Sequence, residues 1–128
     1  MNYYLSREVA LDFDAAVAKL IEALKAEGFG VLTDIDIAAT LKQKLGVDFR
    51  KYRILGACNP PLAHKALTAE DKIGVMLPCN VIVQERAQGG AELAAIDPRA
   101  AMQRVGNPAL AAVAEEVAER LARALQAV

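Results

Sequence analysis

Residues 81–96 of the chain are VIVQERAQGGAELAAI, and this stretch decides the fold class. Two segments with the apolar character of β-strands lie on either side of Gln88-Gly89-Gly90. A glycine pair between two strand-like segments is typical of a β-hairpin. The two strands of a hairpin run antiparallel, so the stretch predicts a sheet that is at least partly antiparallel.

The segments before this hairpin extend the prediction to five strands. In the first, Tyr3 to Val9, apolar and polar residues alternate, which is typical of a strand with one face in water. Phe29 to Ile35 and Arg50 to Cys58 are further strands. Most of these faces alternate, unlike the continuous apolar runs of a buried parallel sheet.

Helices separate most of the predicted strands. The clearest follows Asp12 as N-cap and stops at Gly28, with an apolar stripe at helical spacing. The other predicted helices begin at Asp36, Asn59-Pro60, Asp97-Pro98 and Asn107-Pro108. The element order is β-α-β-α-β-α-β-β-α-α. It predicts an α+β fold: a two-layer sandwich with a mostly antiparallel sheet of about five strands and helices on one face.

The composition predicts a single compact, soluble domain over residues 1–128. The hydrophobic share of 55% excludes a disordered chain, and the formal net charge of −1 provides no field to attract nucleic acid or an anionic membrane. No apolar run approaches the ~20 residues that span a bilayer, and the first residues lack the order of a signal peptide. We therefore expect a cytoplasmic protein, with no nucleic-acid or membrane partner, whose two cysteines are thiols.

Three stretches together resemble one known family. They are Gly28 to Asp36 (GFGVLTDID), Phe49 to Pro60 (FRKYRILGACNP) and Leu77 to Val83 (LPCNVIV). In this combination and order the chain resembles the domain of unknown function 302 family over nearly its whole length. The resemblance implies a small α+β fold that often forms homodimers, and it implies no established activity. Many members carry other residues where this chain has Cys58 and Cys79, so a thiol role would belong to a subgroup.

The residues best suited to carry chemistry are Cys58, His64 and Cys79. If the third and fourth strands are antiparallel neighbours, the end of one lies beside the start of the other, and the two thiols come close. His64 lies in the short helix between them. Two thiols and an imidazole suit a soft metal such as zinc or copper(I), so these three are the candidate metal ligands. Asn59 and Asn80, each following a cysteine, complete the candidate ligand-binding set.

Simpler roles exist for the same residues. Free cysteine often packs as a small hydrophobic residue, and no Cys-x-x-Cys metal motif occurs in the chain. Asn59 and Asn80 suit helix or turn caps. Asp34 and Asp36 could bind a cation or act as acid and base, or Asp36 could cap a helix while Asp34 is solvated.

One basic cluster stands out, formed by Arg50, Lys51 and Arg53 around Tyr52. It could bind an anion, or it could be a charged strand edge that discourages aggregation.

These features favour a homodimeric binding module for a small ligand or a soft metal near Cys58, His64 and Cys79. The partner would be a second copy of the chain, because an open apolar sheet face is a common dimer surface. Two alternatives stay open: a thiol-dependent redox or sulfur-transfer enzyme, and an interaction domain with no ligand. The sequence identifies no cofactor and does not decide whether the protein is an enzyme.

Overall fold

A computed structural model describes residues 2–128, and it confirms the predicted element order and the α+β class. The five strands are β1 (Tyr4–Val9), β2 (Gly30–Asp36), β3 (Tyr52–Cys58), β4 (Cys79–Glu85) and β5 (Ala91–Ile96). The five helices are α1 (Phe13–Ala26), α2 (Ile37–Leu45), α3 (Pro60–Ala69), α4 (Pro98–Gln103) and α5 (Ala111–Gln126). Short 3-10 turns at Ile73–Met76 and Pro108–Leu110 precede β4 and α5.

The five strands form one sheet in the order β1-β5-β4-β3-β2, and every neighbouring pair is antiparallel. The hairpin predicted from residues 81–96 is confirmed, with Gly89 and Gly90 both at positive φ in its turn. The N–H of Arg86 donates to the carbonyl of Gly90 and closes the turn. Because β3 pairs with β4, Ala57 lies directly opposite Cys79 at one end of the sheet.

Two hydrophobic clusters hold the layers together. The larger lies between the sheet and helices α1 and α5, and its fully buried side chains include Leu20, Leu121 and Val81. Burial of each such side chain contributes roughly 1.5–3 kcal/mol. A second, smaller cluster lies at one end of the molecule and joins α3, α4 and both 3-10 turns; it consists of Ala66, Ile73, Met102, Leu110 and Ala114.

Helices α3 and α4 are held by buried polar caps. Asn59 and Asp97 are the buried polar residues of the described chain, and each is the N-cap of a helix with proline in its first turn. Asn59 Oδ1 accepts from the N–H of Leu62 at 3.3 Å, and Asp97 Oδ1 accepts from the N–H of Arg99 at 3.0 Å. The caps satisfy N–H groups that would otherwise be unpaired at the two helix starts.

The centre of the sheet admits no side chain at position 56. A Cβ there would overlap the Thr33 hydroxyl oxygen and come within 2.8 Å of Cγ of Pro78. Thr33 belongs to the neighbouring strand β2, whose register shifts between Val31 and Thr33 at a β-bulge. Only glycine therefore allows β2 and the start of β4 to approach β3 this closely on either side.

Some local predictions were wrong. The helical spacing of Ile37, Leu41 and Leu45 predicts a buried stripe on α2, but this helix buries no residue, and Leu45 is exposed. The spacing of four residues in α5 predicts the ion pairs Glu116–Arg120 and Glu119–Arg123. Arg123 instead pairs with Glu27 at 3.0 Å, because α5 packs beside the end of α1. The predicted pair of Glu116 with Arg120 is confirmed at 3.1 Å.

Candidate functional site: an apolar cavity between the two hydrophobic clusters

A cavity of about 300 Å³ lies where the two hydrophobic clusters meet. Phe29, Ala57 and Val117 line it from the larger cluster, and Ala66 and Met102 from the smaller one. Its wall is almost wholly apolar. Apolar pockets of this size, at a junction between structural units, are the usual form of small-molecule sites.

Three of the five residues predicted to form a site line this cavity. They are Cys58 at the end of β3, Asn59 at the start of α3, and Cys79 at the start of β4. The predicted neighbourhood of the two strands is therefore confirmed, and it places both thiols on one cavity. The assignment of these residues to ligand binding stays a prediction.

The other two predicted residues lie elsewhere. His64 is exposed on α3 and does not line the cavity; its carbonyl accepts a hydrogen bond from the Thr68 hydroxyl at 2.7 Å. Asn80 is exposed on the opposite face of the sheet from Cys79, because successive residues of a strand point to opposite sides. Within residues 2–128, no three His, Cys, Asp or Glu side chains are grouped so as to hold a metal ion. The geometry therefore gives no support to the set of Cys58, His64 and Cys79.

Burial changes the chemistry of one thiol. The low-polarity surroundings of Cys79, and to a smaller degree the neighbouring Cys58, raise the pKa of Cys79 from 9.0 to about 11. The thiolate is the nucleophilic form of cysteine, so Cys79, which is protonated at neutral pH, is expected to react slowly. This disfavours a redox or sulfur-transfer reaction that begins at Cys79.

The mouth of the cavity is apolar as well. Leu32 and Leu67 both line the cavity, and they are 67% and 43% exposed. Leu32 lies at the β-bulge of the edge strand β2, and Gly74 completes the rim from the 3-10 turn. Val75, next to Gly74, is 89% exposed and extends this apolar surface.

The two carboxylates considered from the sequence have structural partners. Asp34 forms an ion pair with Arg53, and the hydrogen bond from that guanidinium lowers the pKa of Asp34. Asp36 caps α2, accepting from the N–H of Ala39 at 2.9 Å. Both groups therefore serve the fold.

The basic cluster also has partners within the described chain. Arg50 donates from Nε to Oε1 of Gln84 at 2.8 Å, and its guanidinium lies 4.4 Å from the centre of the Phe49 ring. These contacts hold Arg50 against the start of β3 and the adjacent strand β4. Because β3 is an inner strand of the sheet, the expected charged strand edge is wrong, and these contacts instead fix the start of β3 to β4.

The open face of the sheet carries a separate, shallow groove of about 460 Å³. Ile82, Ala94 and Ile96 form its apolar centre, and Gln84 and Glu92 form part of its polar border. The Gln84 amide donates to Glu92 Oε1 at 2.8 Å. This face is the dimer surface expected from the sequence, and the homodimer stays a prediction.

Sequence reasoning missed most of the cavity wall. Met102, Val113 and Val117 come from α4 and α5, which are distant in sequence from the two cysteines. Their spacing predicts that they lie on the apolar faces of helices. It does not distinguish a side chain that packs against another residue from one that lines a cavity. The Asn59-Pro60 and Asp97-Pro98 helix starts were visible signals, because both helices frame the cavity.

The molecule is therefore an α+β sandwich with one open sheet face and an apolar cavity between its two hydrophobic clusters. The chain belongs to the DUF302 family, described as a domain of unknown function, whose model matches residues 5–128. The resemblance noted from the three stretches is therefore confirmed. None of the helices in residues 2–128 combines the length and apolar character needed to cross a membrane.

A solved structure supports the same assignment. The chain is similar to an uncharacterized conserved DUF302 protein from Bacillus stearothermophilus, with 30% sequence identity and a TM-score of 0.93. The alignment covers 99% of this chain and 98% of that one. No curated protein matches the chain.

The raised pKa of Cys79 predicts slow alkylation. In a Cys58→Ser variant, which leaves Cys79 as the one thiol, iodoacetamide should react at pH 7.5 at least about 10-fold more slowly with native than with unfolded protein, because burial, the main cause of the raised pKa, persists without Cys58. Mass spectrometry of timed samples measures both rates. Equal rates in buffer and in denaturant would show that burial does not protect this thiol.

Proposed function

We propose that this protein is a binding module for a small apolar molecule, and that the cavity beside Cys58, Asn59 and Cys79 is the binding site. The observation that carries the proposal is an apolar cavity of about 300 Å³ that opens at Leu32 and Leu67. An apolar cavity of ~150 Å³ is already large enough to bind benzene or xenon.

The energetics favour an occupant. Side chains that line an unfilled apolar pocket lack dispersion contacts on the empty side. An apolar ligand restores those contacts and leaves water at the same time. The folded state thus gains stability from a molecule that fits the space.

The sequence favoured a binding module for a small ligand or a soft metal, and this proposal keeps only the small ligand. A soft metal would need thiolates, which the burial of Cys79 disfavours. His64, the third predicted ligand, does not line the cavity, and both observations weaken the metal-binding hypothesis. A ligand held by shape and apolar contacts needs neither a thiolate nor an imidazole. The protein is proposed to act in the cytoplasm, where both thiols stay reduced.

Filling the cavity should abolish binding. Ala63 lines the cavity from α3 and is half-buried, so Ala63→Leu places three further carbon atoms in the space. The uncharged fluorescent probe N-phenyl-1-naphthylamine should bind the natural chain with enhanced emission, and its affinity should fall at least tenfold in the variant. The free energy of unfolding should stay within about 1 kcal/mol or rise, because the new side chain enters a void.

The matched control is Ala69→Leu, which adds the same atoms at an exposed position of the same helix. It should bind the probe as the natural chain does. Equal probe affinity in all three proteins, each folded, would exclude the cavity as the binding site.

We propose in addition that two copies pair through the open sheet face. The apolar centre of its groove and the polar border match the pattern of a protein interface, and a two-fold axis lets the same patch meet itself. Sedimentation equilibrium should give twice the chain mass for the natural protein and the single chain mass for Ile82→Lys. A lysine at exposed Ala26 on α1 is the control and should stay dimeric. A natural protein that sediments as a single chain would refute the pairing.

A further inference from the structure

The residues that line the cavity carry no charge. Its lining contains no Asp, Glu, Lys, Arg or His side chain, and its polar groups are limited to one amide and two thiols. A charged group inside would leave water without gaining an ionic partner. Burial of an unpaired ion is among the most costly steps that a protein site can impose.

The one amide is largely committed to the fold. Asn59 is 8% exposed, and its Oδ1 accepts from the N–H of Leu62 as the cap of α3. The other side of the amide lies against Gly28, where a Cβ would come within 2.9 Å of Nδ2. The Asn59 oxygen therefore already serves as the cap of α3, and this neutral side chain carries no charge to pair with a buried ion.

The raised pKa of Cys79 indicates that the cavity disfavours charged groups. Burial is the main cause of its raised pKa, which means that the surroundings favour the neutral form. A ligand group in the same space meets the same low polarity. The environment that keeps Cys79 protonated would also keep a bound carboxyl group protonated or exclude it.

The mouth offers no ionic anchor either. Leu32, Leu67 and Gly74 form the exposed part of the lining, and none of them can pair with a carboxylate or an ammonium group. Proteins that hold charged amphiphiles place an arginine or lysine where the head group emerges. Here the lining at the rim is as apolar as the wall.

We propose that the ligand of this cavity is an uncharged, mainly aliphatic molecule, and that the site discriminates against carboxylates and amines of the same chain length. This inference rests on the proposed binding function and assigns its ligand class. The apolar wall, the committed amide and the apolar rim each support it independently. The two protein thiols take no covalent part in the binding.

Three probes with one chain length test the selectivity: 1-octanol, octanoate and octylammonium. Each is titrated at pH 7.5 into the natural chain preloaded with N-phenyl-1-naphthylamine, and displacement of the fluorescent probe gives the affinity. The octanol should displace the probe, and both ions should bind at least about 100-fold more weakly, because neither finds a counter-charge. Because the probe binds Ala63→Leu weakly, octanol is also titrated directly by calorimetry, and it should bind the natural chain and not Ala63→Leu, which places the octanol site in the cavity.

Each outcome distinguishes the two claims. Octanoate or octylammonium binding as tightly as octanol, with the response lost in Ala63→Leu, overturns the ligand class and leaves the binding function standing. If none of the three displaces a probe that binds the natural chain and not Ala63→Leu, the ligand class fails and the binding function stands. If the probe itself does not bind, both the ligand class and the proposed function fail. A preference for octanol that persists in Ala63→Leu assigns the selectivity to another surface and overturns the inference.

Discussion

The pairing of β3 with β4 is the constraint on which the rest of the structure depends. It sets Ala57 opposite Cys79, and it brings the end of one strand and the start of the next to the same edge of the fold. Gly56 allows both neighbours of β3 to come close, because a Cβ there would overlap Thr33 of β2 and crowd Pro78, the residue before β4. The start of α3 follows directly from that strand end, so the position of Asn59 is fixed by the same pairing.

The cavity follows from how the two helices beyond these strands are anchored. Asn59 and Asp97 cap α3 and α4 from buried positions, which sets where each helix begins. The small cluster around Met102 packs on these helices, while the large cluster packs on α1 and α5. Three alanines, Ala57, Ala63 and Ala66, lie among the larger side chains that line this boundary, and their short side chains leave part of it unfilled. A void of ligand size is the physical result.

Much of the fold could be predicted from the sequence, because its local signals are strong. The alternation in β1, the caps at Asp12 and Asn59, and the Gly89-Gly90 turn each report short-range constraints. The candidate site could be predicted only in part. The neighbourhood of Cys58 and Cys79 follows from antiparallel pairing, whereas the exclusion of His64 depends on which side of α3 faces inward. The α5 wall could not be predicted, because periodicity shows which residues are apolar and does not show where packing is incomplete.

The most direct test of a ligand-sized apolar cavity is a crystal structure of the natural chain under xenon pressure. Xenon enters cavities that are apolar and unfilled, and its strong scattering locates it without any assumption about the natural ligand. We predict a xenon atom among Ala63, Cys79 and Met102, with the surrounding side chains unmoved. A xenon-free site, with Leu32 or Leu67 collapsed into the space, would contradict the cavity and the binding function built on it.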